Sequence, residues 1–319
     1  MILSLAPMEG VTGHVFRRVH AECFGALDRY YTPFVAPPQV GKGFVGRAKR
    51  ELDPVANEGL DVVPQLLTRD ADRFVWAAGL LQQMGYREVN LNAGCPSGTV
   101  VSKHKGAGML ADPAALDAFL RRVFDEAPVK ISVKTRMGLN STEEFPSILE
   151  IYKRYPLSEL IIHARDRAGM YQSRPDQEAF AWAFGGCPFP VCYNGNLFNA
   201  EHLRSLTEKV PGLERVMLGR GAAANPALFR VLRGGAPLER QELREFHDRL
   251  LADALSSGLS DHYAMARMKE LWYYMIHMFP DSARAYKALK KSRCLSDYRS
   301  AAETIFSSCP FDPDTGFHG

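Results

Sequence analysis

The 319-residue sequence predicts an α/β protein, a (β/α)₈ barrel followed by a small C-terminal helical domain. Two observations predict it: eight short β-branched runs alternate with helical stretches over the first ~230 residues, close to the usual barrel size, and strand signals then stop. A doubly wound sheet, the rival, would show a G-x-G-x-x-G after its first strand, and none is present.

The strand segments, in order, are "ILSLAP" (2–7), "RYYTPF" (29–34), "DVVPQLL" (61–67), "REVNLN" (87–92), "VKISVKT" (129–135), "ELIIHA" (159–164), "FPVCYNG" (189–195) and "ERVMLG" (214–219). Between the third and fourth, "RDADRFVWAAGLLQQMG" (69–85) has apolar residues at three and four spacing and ends on Gly85. After the fourth, "DPAALDAFLRRVFDE" (112–126) opens with Asp112 as N-cap and Pro113 at the first helical position. The second unit is weakest, since residues 35 to 60 mix prolines, glycines and charges with no clear helix. Residues 240 to 308 are helical throughout, with breaks near Gly258, Pro280 and Ser296. The expected domains are therefore 1–238 and 239–319.

Composition narrows the class. A chain that is 46% hydrophobic buries a sizeable core, and no run of eighteen apolar residues crosses a membrane. The start "MILSLAPMEG" lacks the features of a signal peptide, so a cytoplasmic protein is expected. Six scattered cysteines form neither a disulfide framework nor a metal-ligand cluster, and no metal is expected. The net charge of +3 does not by itself announce nucleic acid.

Barrel enzymes place their chemistry at the C-terminal ends of strands. Those ends here carry Pro7, Met8 and Glu9; Gln65; Asn92 and Cys95; Lys134 and Arg136; His163 and Arg165; Asn194 and Asn196; and Arg220. Any one of them alone reads as a satisfied structural group, but seven ends converge on one mouth. "YNGN" (193–196) and "LGRGAAANP" (218–226) follow the seventh and eighth strands, where barrels commonly hold phosphate; Gly195, Gly219 and Gly221 allow close backbone approach and Arg220 adds charge. A phosphate handle with inward amides and cations suits a planar heteroaromatic cofactor, and flavin mononucleotide (FMN) fits best. Cys95 lies in a Gly-Cys-Pro turn with Lys103, His104 and Lys105 close in sequence, an electropositive setting for a reactive thiol. Nucleophile, redox sensor and proton donor all stay open for it, the last needing the fewest partners.

The segments "LAPMEGVTGHVFR", "VPQLL", "VNLNAGCPSGTVVSKHKGAGMLADP", "ISVKTRMG", "IIHAR", "VCYNGN" and "VMLGRGAAANP" together resemble the bacterial tRNA-dihydrouridine synthases, from about residue 3 to 230. The resemblance implies an FMN enzyme that takes electrons from NADPH or NADH and reduces the C5–C6 bond of uridine in tRNA. It implies that Cys95 protonates C5 and that Pro7, Met8, Glu9, Gln65, Lys134, His163, Asn194, Gly195, Asn196, Gly219 and Arg220 hold the flavin. Asn92 and Arg136 would face the uracil, with Arg165 and Tyr171 in a loop near substrate. The chain departs from the family at Gly13, where Asp is usual and Thr12 is expected to cap instead, at His104, where Gly is usual, and at Ala164.

A uridine that must lie against a recessed flavin has to be extruded from its loop, which requires a surface that grips RNA. From residue 240 onward eleven basic and eleven acidic residues cancel, but residues 267 to 299 hold eight basic against three acidic. Arg284, Lys287 and Lys291 share a helix face able to follow a phosphate backbone, with Arg267 and Lys269 nearby in sequence. In "LWYYMIHMF" (271–279), helical spacing makes Leu271, Tyr274, Met275 and Met278 bundle core. A monomer is expected. The alternatives are a flavin barrel acting on a small dihydropyrimidine, the same reaction on ribosomal RNA, and an RNA-binding module without catalysis.

Overall fold

The computed structural model describes residues 1–257 and 260–317; the predicted break near Gly258 lies outside them. Nine short strands are present: β1 (Ile2–Leu5), β2 (Arg29–Tyr31), β3 (Val62–Val63), β4 (Gln65–Leu66), β5 (Glu88–Ala93), β6 (Lys130–Arg136), β7 (Leu160–His163), β8 (Val191–Asn194) and β9 (Arg215–Leu218). All pair in parallel, in the order β3-β2-β1-β9-β8-β7-β6-β5-β4. β3 and β4, at the two ends of that order, are consecutive in the chain across Pro64, so the sheet comes round on itself as a TIM-type barrel.

The ninth strand is the third predicted segment cut in two. Proline has no N–H to donate to a ladder, and at Pro64 the segment changes partners. Val63 O accepts from Thr32 N on one side (3.1 Å), and Pro64 O accepts from Asn90 N on the other (2.8 Å). The barrel interior is filled by Ala6, Tyr31, Val63, Ile161, Cys192 and Met217, all buried. At the N-terminal end of the strands the Tyr31 hydroxyl donates to Glu159 Oε2 (2.6 Å) and Arg215 pairs with Glu159 Oε1 (3.2 Å). Burial pushes the Glu159 carboxyl up despite both partners. These groups hold the closed end of the barrel together, away from the mouth.

Asp112 caps its helix as expected, and Asp70 caps another. Asp70 accepts from Arg73 N (3.1 Å) ahead of the helix Ala71–Gln83. Asp112 accepts from Ala115 N (3.0 Å) ahead of Pro113–Glu126. The second unit supplies only a six-residue helix, Gly46–Glu51. Thr12 does not cap the helix His14–Cys23, a correction to the sequence reading: its hydroxyl accepts from Met8 N (2.8 Å) and closes the turn before the helix.

By contacts the chain divides into two compact units, one of Met1–Pro7, Asp28–Asn196 and Arg204–Leu218, the other of Met8–Leu27, Leu197–Leu203 and Gly219–Gly319. The first is the barrel. Within the second, Phe16 lies edge-on to Phe246 (5.5 Å), and Arg18 pairs with Asp253 (2.7 Å). Its longer helices are Arg240–Ser256, Asp261–Met275, Ala283–Lys291 and Leu295–Ser308. The break expected near Ser296 comes earlier, because Cys294 is the N-cap of the last helix. Leu271, Met275 and Met278 are buried as expected, whereas Tyr274 is only half-buried. Among the described residues no helix is long and apolar enough to cross a membrane.

His104 is exposed and adopts the left-handed conformation, φ 52°. That region penalises a Cβ. His104→Gly should therefore stabilise the protein by about 0.5–1 kcal/mol, after the extra freedom glycine gains when unfolded. Thermal unfolding checks this, with a Tm rise of about 1–2 °C expected for a chain of this size.

Candidate active site

β5 positions the cysteine. Alternation along the strand turns Asn90 and Asn92 to the same side, and both are buried, at 0% and 6% exposure. Asn92 Oδ1 accepts from Gly94 N (3.1 Å) and Cys95 N (2.8 Å), folding the chain into a turn directly after the strand. Its Nδ2 donates to Gln65 Oε1 (2.8 Å), Gln65 Nε2 donates to Asn90 Oδ1 (2.8 Å), and Asn90 Nδ2 donates to Ser132 Oγ (2.9 Å). The backbone of Gln65 is held as well, its N–H donating to Thr32 Oγ1 (3.0 Å).

The far side of the turn is equally constrained. Ala107 N donates to Cys95 O (3.1 Å), and a Cβ at Gly106, where φ is +56°, would lie 2.8 Å from that oxygen and 2.9 Å from Cys95 Cβ. Only glycine lets residues 106–108 pass so close. Arg136 Nε donates to Gly94 O (3.1 Å) and Arg167 Nε to Pro96 O (3.4 Å). Cys95 is half-buried, so its side chain is partly accessible on a backbone held on both sides.

Lys134 and Arg136 stand on β6, with Lys134 in register opposite Asn92. Burial, and next the Arg136 guanidinium, pushes Lys134 down to about 8. Arg136 is 1% exposed, and burial lowers its pKa too. Its Nη1 donates to the carbonyls of Asp166 (2.6 Å) and Met170 (2.9 Å), and its guanidinium lies 5.4 Å from the centre of the Tyr171 ring. Its Nη2 is buried with no hydrogen-bond partner among the described residues. A half-buried lysine and a buried arginine two residues apart on β6, the latter with an idle donor, favour an electron-rich ligand at this mouth.

Arg165 stands two residues beyond the end of β7. It is 2% exposed and donates to Ser173 O (2.7 Å), to Asn196 Oδ1 (3.1 Å) and to His163 Nε2 (3.1 Å). A guanidinium can only donate, so His163 accepts at Nε2 and carries its proton on Nδ1. Arg165 thus braces the loop that carries Tyr171, which is 47% exposed with its ring 6.0 Å from that of His163.

Asn194 ends β8 and donates to Met217 O (2.8 Å) on the neighbouring strand. Gly195 is required by its own neighbour, because a Cβ there would overlap the Tyr193 phenol. Pro7 follows β1 and is half-buried. Met8, Glu9, Gly219 and Arg220 belong to the second unit. There Gly219 precedes the short helix Arg220–Ala224, and the Arg220 guanidinium lies 5.5 Å from the ring of Phe317 and 5.9 Å from that of Phe198.

The candidate RNA-facing cations separate into two groups. Arg267 pairs with Glu270 (3.4 Å) and bonds the Tyr263 hydroxyl, and Lys269 donates to Ser292 O (2.7 Å), closing the end of the helix Ala283–Lys291. Arg284, Lys287 and Lys291 are exposed on that helix and have no ion pair among the described residues. Asn90, Ser132 and Arg167 join the site through contacts remote in sequence; in the sequence itself only the N-x-N alternation of "VNLN" marks Asn90 as sharing a face with Asn92.

Among the described residues no group of three or more His, Cys, Asp or Glu side chains could hold a metal ion. The family model described as dihydrouridine synthase (Dus) matches residues 4–306. A tRNA-dihydrouridine(16) synthase of Pseudomonas putida is 27% identical over 91% of this chain and 93% of its own. One of Shewanella oneidensis is 26% identical over 91% and 93%. A tRNA-dihydrouridine synthase B of Pasteurella multocida is 27% identical over 72% of this chain and 68% of its own. Among solved structures, the old yellow enzyme homologue from Zymomonas mobilis superposes with a TM-score of 0.53 at 13% identity, covering 75% of this chain and 89% of that one, a likeness of fold.

Proposed function

The chain belongs to the dihydrouridine synthase family, and from that premise we infer that it reduces the C5–C6 bond of uridine in tRNA, with FMN as cofactor and NADPH or NADH as electron donor. The observation that carries this reading is the Cys95 turn joined to β6, where a half-buried thiol, Lys134 and the idle Nη2 of Arg136 belong to one end of the barrel.

The donor set fits a flavin. Gln65, Lys134 and His163 would pair with its ring, Pro7 would cover a face, and Asn194, Gly195 and Asn196 would serve the rest of the cofactor. When bound, FMN supplies the hydride that goes to C6 of the uracil. Cys95 would deliver the proton to C5. Arg136 Nη2 donates to a uracil carbonyl, where negative charge gathers during the addition, and Asn92 offers its second Nδ2 hydrogen to the same ring. Tyr171 borders the uridine, and Arg165 keeps the Tyr171 loop in place. Arg284, Lys287 and Lys291 bind tRNA phosphates. We further propose position 16 as the uridine reduced, since relatives named for that position align over nearly the whole of both chains.

The purified protein is expected to be yellow, and Cys95→Ala should lower turnover at least ~10²-fold while keeping the flavin, the loss expected for a general acid. Wild-type turnover in that variant would remove Cys95 from the acid role. Mapping dihydrouridine in RNA of a deletion strain should show it missing at tRNA position 16; loss only in ribosomal RNA, or no loss, would overturn the assignment.

A second expectation concerns pH. A lysine lowered to about 8 is already charged below that pH, whereas above it the ligand must draw in a proton to meet an ammonium. FMN affinity, read by quenching of flavin fluorescence, should therefore weaken about tenfold between pH 7.5 and 9.5, and Lys134→Met should flatten that dependence.

Replacing Arg284, Lys287 and Lys291 together by Gln should reduce the slope of log affinity for tRNA against log salt by about 2, since each phosphate contact accounts for about 0.7–0.9. An unchanged slope would place the RNA elsewhere.

A further inference from the structure

We propose that Asn90 is a positioning residue for Cys95, acting through the amides of Gln65 and Asn92. The proposal rests on the reading of Cys95 as the acid, and it assigns a task to a residue that the reading leaves without one.

The polarity of the hydrogen-bonded line follows from its end. Gly94 N and Cys95 N can only donate, so the Asn92 atom they meet is the oxygen, at 3.1 and 2.8 Å. With Oδ1 committed, Asn92 presents Nδ2 to Gln65, which must answer with Oε1 (2.8 Å). Gln65 is then left with Nε2 pointing the other way, and the atom that accepts it is Asn90 Oδ1 (2.8 Å). Asn90 in turn directs Nδ2 to Ser132 Oγ (2.9 Å). Gln65, Asn90 and Ser132 are each 0% exposed, so water does not replace a missing partner.

Without an acceptor at position 90, Gln65 has a buried donor and no partner. Its amide is then held from one side only, by Asn92, and turning it to find another partner would set its NH₂ against the NH₂ of Asn92. The Gln65 side chain shifts instead, and Asn92, which also carries the turn that presents Cys95, loses the support that fixes its position. Asn90 touches neither the thiol nor the reacting bond; its effect is on where the thiol stands.

Three variants test this. Asn90→Leu fills the site without an acceptor, and Asn90→Thr, a strand-compatible residue too short to reach Gln65, serves if the leucine variant does not fold. Asn90→Asp keeps an acceptor for Gln65 Nε2, and the Ser132 hydroxyl can rotate to donate to it. For Leu and Thr, kcat on tRNA should fall about 10- to 100-fold, the scale for a group misplaced by about 1 Å. KM for tRNA and flavin content per chain should hold, and the rate at which iodoacetamide alkylates Cys95 should change. Asn90→Asp should restore kcat to within about threefold of wild type, taking the same 1 Å scale as the reference, and the wild-type alkylation rate with it. Wild-type kcat and alkylation in Leu and Thr would overturn the proposal, as would a loss lying wholly in KM or flavin content, or an Asp variant as impaired as Leu. Alkylation needs no RNA, so it tests the positioning even if wild-type protein forms no dihydrouridine, a result that would instead strike the functional reading.

Discussion

One side-chain oxygen organises the mouth of this barrel. Asn92 Oδ1 receives the amides of Gly94 and Cys95, and this turns the chain sharply at the end of β5 in place of continuing the strand. The surrounding groups follow from that commitment. Gly106 and Ala107 close under the Cys95 carbonyl, and Arg136 and Arg167 reach the carbonyls on either side of the cysteine. A buried polar group without a partner is costly, so each group used to hold the turn obliges its neighbour to find another. The line running back through Gln65 and Asn90 to Ser132 is the consequence. Orientation is thereby set at the turn and carried across three strands.

Charge is arranged on the same principle with a different outcome. Arg165 spends its donors on Ser173, Asn196 and His163, which makes it a brace. Arg136 spends Nε and Nη1 on carbonyls and keeps Nη2 idle. Lys134 beside it is held near 8 by burial and by that guanidinium. Folding alone gains nothing from leaving such groups incompletely paired. The cost is recovered when something electron-rich arrives, and binding is then strongest where the cations were least satisfied.

Most of the barrel was legible because its signals are local. Strand segments of β-branched residues, Asp112 as a cap and Pro113 at a helix start all act within a few residues of where they stand. What escaped depends on partners distant in sequence. Pro64 looked like one residue of a strand, and its effect appears only when the strands on both sides compete for the same segment. Thr12 is the exception, since its partner is near: Met8 N, four residues away, takes the hydroxyl that would otherwise cap the helix. Arg165 and Arg136 look alike in sequence, each a strand-end arginine, and what separates them is Nη2, bonded to Asn196 in Arg165 and without a partner among the described residues in Arg136. Asn90 shares a face with Asn92 by alternation, yet its link to Gln65 spans 25 residues.

His104 and Gly106 show how closely turn geometry and chemistry are joined here. Both are left-handed, at φ 52° and 56°, yet only Gly106 has the cysteine backbone where a Cβ would go. At position 104 the side chain faces solvent, so a histidine costs conformational energy and nothing more, and the chain can carry it. At position 106 a side chain would displace Cys95 itself. Two positions with the same backbone conformation thus differ in what they permit, and the difference is set by distance from the thiol.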